Sequence, residues 1–415
     1  LESLQQLTAK HRSRFTLPVV AITGSNGKTI VKEWLWQLLR DDFSIVRSPK
    51  SYNSQVGVPL SVWQMNETHT LGIFEAGISR SGEMEKLNAI IRPEIVLFTN
   101  LGSAHDENFS GRLEKAKEKL RLTANAKNII YCKDDAALHK EIAELGVATF
   151  TWSRRIKADL QISKVNKSKT GTTIQGIFEN SFREISIPFI DDASVENSIH
   201  CWAFLLHFGK ADELITRRFA HLAPVAMRLE LKGGLNNCSV INDSYNSDVG
   251  SLAVALDFLN QQQQHVKRTV ILSDILQSGR DEKELYTEVA SLLKSKNVHR
   301  FIGIGAAVSR QHERFVDLPA SFFQSTGDFI EAFESSWFHN ETILLKGARA
   351  FEFENISRLL QQKSHETVLE IDLSAVVHNL NYVRSRLNPG TQLMVMVKAF
   401  SYGSGSFEIA NVLQF

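Results

Sequence analysis

Thr23-Gly24-Ser25-Asn26-Gly27-Lys28-Thr29 follows the β-branched run Val19-Val20-Ala21-Ile22 and precedes an apolar-periodic stretch from Val31 to Leu39. Strand, glycine-bearing turn and helix start, in that order, make a phosphate-gripping loop. Glycines let successive backbone N–H groups turn inward around phosphate oxygens, and the helix N-terminus adds favourable potential. Gly24, Ser25, Asn26 and Gly27 would form the cradle, Lys28 would reach the β- and γ-phosphates, and the Thr29 hydroxyl would ligate Mg²⁺. The generic loop pattern asks for glycine where this chain has Ile22, so the match to it is imperfect.

Outward from the loop, short β-branched runs alternate with helical stretches. Strands are expected at Leu71–Glu75, Ile95–Thr99 and Asn128–Tyr131, and helices at Met84–Ile91 and Leu113–Leu122. This alternation predicts an α/β fold with a doubly wound, mostly parallel sheet. Leu160 to Pro188 reads differently: Gly171, Thr172 and Thr173 sit between alternating runs, which suggests a small antiparallel insertion. Beyond Pro224 the alternation resumes as a second, Rossmann-like α/β domain. The expected divisions are 1–17 (a leading helix), 18–223, 224–362 and 366–415, the last after the polar stretch Gln361–His365. In that last part a strand is expected at Val368–Ile371, a helix from Ser374 and a strand at Leu393–Val397.

Composition narrows the function classes. The 415 residues carry 47 basic and 46 acidic side chains, a net charge of +1, and no basic patch with interleaved aromatics, so a nucleic-acid partner is not expected. No apolar run approaches the ~20 residues that span a bilayer, so no membrane partner is expected either. Cys132, Cys201 and Cys238 lie far apart and form no CxxC pair, which fits a reducing cytoplasm without disulfides or zinc.

Further segments give the loop a context. They are, in order, Asn53-Ser54-Gln55-Val56-Gly57-Val58-Pro59, Phe74-Glu75-Ala76-Gly77, Thr99-Asn100 to His105, Asp243-Ser244-Tyr245-Asn246 and Leu345-Lys346-Gly347-Ala348-Arg349. As an ordered set they resemble the Mur ligases, whose nucleotide loop also lacks the first glycine. The resemblance runs from about the N-terminus to about Leu360. It implies an ATP-dependent amide-bond ligase of peptidoglycan biosynthesis that activates a peptide carboxylate as an acyl phosphate. Its cofactors would be ATP and Mg²⁺, and its partners UDP-N-acetylmuramoyl-tripeptide and D-alanyl-D-alanine, with a monomeric ligase part.

Within that resemblance, Thr29, Glu75, His105 and Lys117 would hold metal, Lys117 at the position that the family carbamylates. Lys28, Glu75, His105, Lys117 and Arg228 would be catalytic. Asn197 would lie near adenine, Arg228 near the γ-phosphate, and Asp243 and Tyr245 would complete the nucleotide site. Asn53, Ser54, Tyr245, Asn246 and Lys346 would meet substrate. Ala193, Met227 and Val249 depart from the family's usual histidine, glycine and proline.

The tail, Leu369-Glu370-Ile371-Asp372-Leu373, Asn379-Leu380 and Met396-Val397-Lys398-Ala399-Phe400-Ser401-Tyr402-Gly403, resembles the start of an alanine racemase. That implies a βαβ piece of a TIM barrel, with Lys398 as the lysine that would bind pyridoxal phosphate in a full-length racemase part. The chain is therefore expected to be a fragment, lacking a UDP-binding domain before Leu1 and most of a barrel after Phe415. The competing readings are a folylpolyglutamate synthetase-like ligase, a catalytically silent ATP-binding module, and a racemase with an accessory front.

Overall fold

The computed structural model describes residues 1–102, 109–168, 170–210, 213–225, 229–245, 247–262, 264–276, 278–361, 371–397 and 406–414. It falls into two units, Leu1–Gln361 and Gln362–Phe415.

The first unit holds two sheets. The larger contains β1 (Val19–Thr23), β2 (Ile45–Arg47), β3 (Leu71–Glu75), β4 (Ile95–Phe98), β5 (Asn128–Cys132), β6 (Ala148–Ser153), β7 (Leu160–Lys167), β8 (Thr172–Phe178) and β9 (Ser181–Ile187). Their order is β2-β3-β1-β4-β5-β6-β7-β8-β9. The strands from β2 to β7 pair in parallel; β7-β8 and β8-β9 pair antiparallel. The residues expected as a small antiparallel insertion do pair antiparallel, and they extend the main sheet. The β8–β9 hairpin closes through Glu179 and Asn180, both at positive φ (49° and 58°), the two-residue turn whose twist suits a hairpin.

Alternation along β1 packs both faces. Val20 and Ile22 meet Val31, Leu35 and Leu38 of the helix Lys28–Leu39; Val19 and Ala21 meet Val58, Val62 and Leu87 on the other side. The helix Glu2–Arg12 is anchored on the second face, where Arg12 Nε donates to the Ile91 carbonyl (2.9 Å) and His11 Nε2 contacts the Met65 carbonyl (2.8 Å).

The smaller sheet contains β10 (Glu230–Gly233), β11 (Ser239–Asp243), β12 (Lys267–Ser273), β13 (Arg300–Ile304), β14 (Ala320–Phe323) and β15 (Glu341–Lys346), in the order β10-β11-β15-β12-β13-β14. Only β10 runs antiparallel. Between β11 and β12 the helix Val249–Gln261 starts with a reciprocal cap between Asp248 and Ser251.

In the second unit, Asp372 caps a helix over Leu373–Ser385, and a further helix covers Ser406–Leu413. The expected strand at Leu393–Val397 is not formed: residues 391–397 carry no regular structure, and Met394 is 95% exposed. A parallel strand takes its hydrogen bonds from neighbouring strands, and the described residues of this unit include none. The strand expected at Val368–Ile371 lies outside the described residues except for Ile371, which is not in a strand.

Candidate active site

In the larger sheet, β1 lies between β3 and β4, where the strand order reverses. Open α/β sheets place ligands at the carboxyl ends of the strands flanking that reversal. The turn after β1 occupies this point. Its Ser25 N–H donates to the Asn100 carbonyl (2.8 Å) and its Asn26 N–H to Asn100 Oδ1 (3.0 Å), so the segment after β4 shapes the loop. Two glycines are required here. A Cβ on Gly24 (φ 133°) would stand 2.1 Å from Thr99 Oγ1, and one on Gly27 (φ 82°) 2.3 Å from Asn197 Oδ1.

Thr29, in the first turn of the helix Lys28–Leu39, donates from Oγ1 to Glu75 Oε2 (3.0 Å) at the end of β3. Asn53 Nδ2 reaches the same carboxylate oxygen (3.4 Å), and the Asn53 carbonyl accepts from Gly77 N–H (2.8 Å). Glu75 is fully buried, and its Oε1 accepts no directed hydrogen bond among the described residues. Hydroxyl and carboxylate oxygens beside a phosphate loop suit a hard divalent cation. With a single carboxylate, such a cation would complete its shell from phosphate and water oxygens. The donors present therefore fit Mg²⁺.

Cationic side chains crowd the loop. Lys28 Nζ turns back to the carbonyls of Gly24 (2.8 Å) and Ser25 (3.0 Å). Lys119 Nζ reaches the same Gly24 carbonyl (3.1 Å), and Lys115 Nζ the Gly102 carbonyl (2.5 Å). Burial holds the Lys119 pKa well below its ordinary value, and the nearby charges of Lys28 and Lys115 lower it further.

Lys117 requires a correction. It lies on the opposite side of its helix, 59% exposed and paired with Glu141 (3.6 Å), away from the loop. The helix Arg112–Leu120 buries Lys115, Ala116, Glu118, Lys119 and Leu120. At 100° per residue, Lys117 falls opposite the centre of that face. The apolar spacing of Ala116 and Leu120 could not have selected Lys119, since at about 100° per residue their midpoint lies equally far from Lys117 and Lys119; the burial of Lys115, Glu118 and Lys119 decides it.

One cavity of about 530 Å³ joins both sheets. Its lining includes Lys28, Thr29, Asn53, Lys119, Asp243 and Lys346, with Ser54, Asn197 and Tyr245 around it. Asp243 and Lys346 end the neighbouring parallel strands β11 and β15, opposite one another in register, and form a buried ion pair (2.7 Å). The Arg349 guanidinium lies 5.9 Å from the Tyr245 ring centre. Asn197 projects from the helix Asp192–His207, whose first turn is capped by Asp191 accepting from Ser194 N–H (2.7 Å). Burial raises the pKa of Asp191 and of Glu196, both at the cavity wall. His105, Arg228, Asn246 and Lys398 lie outside the described residues.

Comparison with known proteins places this geometry. The family models "Mur ligase middle domain" and "Mur ligase, glutamate ligase domain" match residues 22–205 and 227–349. "Alanine racemase, N-terminal domain" matches residues 371–414. The UDP-N-acetylmuramoyl-tripeptide–D-alanyl-D-alanine ligase of Bacillus subtilis (strain 168) is 28% identical over 370 residues, covering 86% of this chain and 78% of its own length. Two solved structures share the fold. MurF from Acinetobacter baumannii has a TM-score of 0.76 at 22% identity (86% of this chain, 79% of that one). MurF from Thermotoga maritima in complex with ADP has 0.72 at 20% identity (86% and 82%). The phosphate loop lies within the first match and the Asp243–Lys346 pair within the second, in the order the family requires. This chain therefore belongs to the Mur ligase family, with the start of an alanine racemase domain behind it.

Proposed function

We propose that the chain is an ATP-dependent ligase that joins D-alanyl-D-alanine to UDP-N-acetylmuramoyl-tripeptide in peptidoglycan biosynthesis. The observation that carries this reading is the cavity itself. It gathers a phosphate loop, Thr29 with the buried Glu75 hydrogen-bonded behind it, and Asp243, Tyr245 and Lys346 from the second sheet.

The chemistry must bring a substrate carboxylate against a polyphosphate, and both are anions. Lys28 and the N–H groups of the Gly24–Gly27 turn would bind the phosphates. Thr29 and Glu75 would hold Mg²⁺, which supplies charge neutralisation when bound. Lys119 takes the place earlier expected for Lys117: its buried, depressed amine is the group beside the loop that could accept carbon dioxide. Asn53 and Ser54 would meet the muramoyl peptide; Asp243, Tyr245 and Lys346 would orient phosphate or the incoming dipeptide. Walls from both sheets would exclude water, which protects an acyl phosphate from hydrolysis.

His105 and Arg228 keep the metal and γ-phosphate roles that the family resemblance implies, as does Asn246 its substrate role. The ligase part would act as a monomer in the cytoplasm; no described helix is long and apolar enough to cross a membrane. Pyridoxal phosphate would belong to Lys398 only in a complete racemase domain.

The test is phosphate release from ATP with each amine acceptor. Release should require the muramoyl tripeptide, D-alanyl-D-alanine and Mg²⁺ together, with the ligated product seen by mass. Turnover with a folate and glutamate instead would replace this reading by the folylpolyglutamate one.

A further inference from the structure

Lys32 is fully buried one turn beyond Thr29, and no phosphate-loop role calls for it. Its ammonium lies 3.0 Å from Glu75 Oε1 and 2.9 Å from Glu33 Oε1. Its N–H groups are directed at the carbonyls of Ser48 (2.7 Å) and Lys50. The contact with Oε1 is thus an ion pair without a directed hydrogen bond, which leaves that oxygen fixed by charge. Oε2, the other oxygen, faces Thr29 Oγ1 and Asn53 Nδ2.

The same ammonium fastens the segment that carries Asn53. The chain turns at Lys50 with φ 50°, an uncommon conformation for a side-chain-bearing residue. The Lys50 carbonyl is one of the two that Lys32 grips. On either side, Ser48 Oγ accepts from Glu75 N–H (3.1 Å) and Ser51 Oγ contacts Thr29 Oγ1 (3.0 Å). One buried cation thereby ties together the helix of the phosphate loop, the strand-end carboxylate and the segment Ser48–Ser54.

We propose that Lys32 is a positioning residue for the metal site: a built-in counter-cation that neutralises Glu75, occupies its Oε1 side and presents Oε2 to magnesium as a single-oxygen ligand. A carboxylate buried without a partner is strongly unfavourable. Lys32 therefore also keeps the site formed when no divalent cation is bound. The inference rests on the nucleotide-binding reading above, and it concerns a residue outside the phosphate contacts.

The test uses the full chain and its Lys32→Met, Glu75→Gln and Lys32→Met/Glu75→Gln variants. Affinity for ADP is measured by calorimetry, once with EDTA and once with Mg²⁺, and unfolding midpoints are measured in EDTA. In wild type, Mg²⁺ should tighten ADP binding; if it does not, the nucleotide-site reading fails first. In Lys32→Met the gain from Mg²⁺ should shrink roughly tenfold, the effect of losing a partner of a metal ligand. Binding in EDTA should change much less.

The Lys32→Met midpoint should fall by roughly 5 °C in EDTA, and most of that loss should return in the double variant, where no charge is left unpaired. An unchanged Mg²⁺ gain in Lys32→Met overturns the proposal. So do additive midpoint losses, or a double variant that fails to fold.

Discussion

Gly27 and Asn197 occupy each other's space: a single methyl group on the glycine would come within 2.3 Å of the asparagine Oδ1. The loop that grips phosphate is thus held against the helix Asp192–His207. Gly27 is also at φ 82°, where a side chain is strained whatever the room.

Gly27→Ala should therefore displace either the turn or Asn197. We expect ADP affinity to fall at least about a hundredfold, with overall stability lowered by about 1–3 kcal/mol. Calorimetric titration beside a denaturation curve separates the two effects. An alanine variant that binds ADP as tightly as wild type would show that the contact has slack.

The Asp243–Lys346 pair bridges the ends of β11 and β15 at the cavity wall, with each partner about nine-tenths buried or more. Removing one partner of such a pair leaves an uncompensated buried charge, at about 3–5 kcal/mol. Lys346→Met should therefore be much less stable than wild type, whereas Asp243→Asn/Lys346→Met should regain most of the loss. Neither should turn over ATP. Urea denaturation and phosphate release check the two halves; a double variant that is active would remove both residues from the proposed machinery.

Sequence periodicity was enough to read the two α/β sheets and the phosphate loop, because strand–turn–helix is local and its signal is dense in residues. Glu75 was singled out by the family resemblance of Phe74-Glu75-Ala76-Gly77, since a strand-end glutamate alone reads equally as a solvated or capping residue. Lys119 was not, because Lys117 and Lys119 lie equally far around the helix from Ala116 and Leu120, and only tertiary packing shows which of them is buried. Lys32 was missed for a related reason: a lysine in an amphipathic helix is ordinarily on the solvated face, and its partner Glu75 lies 43 positions away in sequence, at the end of β3. The extension of the main sheet by β7, β8 and β9 was hidden too. Alternating strands announce antiparallel pairing, and the edge they add to is set by tertiary packing. The strand expected at Leu393–Val397 shows the limit of local propensity, since the pattern is present and the ladder partners are not.

Lys119 and Lys117 make a paired prediction. Lys119 is buried against the Gly24 carbonyl with its pKa depressed, so more of it is the neutral amine that reacts with carbon dioxide. Lys117 is exposed and paired with Glu141, away from the loop. Lys119→Ala should lower kcat by at least about a hundredfold, and Lys117→Ala should stay within about twofold. Mass spectrometry of native protein equilibrated with bicarbonate should find one added carbon dioxide that disappears in Lys119→Ala alone. Loss of that adduct in Lys117→Ala would return the role to the exposed residue.

His200 gives the molecule a built-in acid sensitivity. It is wholly buried, accepts a hydrogen bond at Nδ1 from Trp152 Nε1 (3.0 Å), and desolvation pushes its pKa down to about 3 from 6.5. A base whose folded pKa lies below its unfolded value binds fewer protons when folded. Its stabilising contribution is complete above pH 6.5 and is lost as pH falls towards 3, at up to roughly 1.4 kcal/mol per pH unit. Burial also lowers His139 and His207 and raises Asp191 and Glu196, so the share of His200 is read from the difference between wild type and a His200 variant between pH 6.5 and 5. Unfolding free energy from urea curves should decline with falling pH across that interval in wild type, and His200→Gln should flatten the decline even though it lowers stability at neutral pH. Equal slopes in the two proteins would mean that His200 takes up its proton inside the fold, against the burial that keeps it neutral.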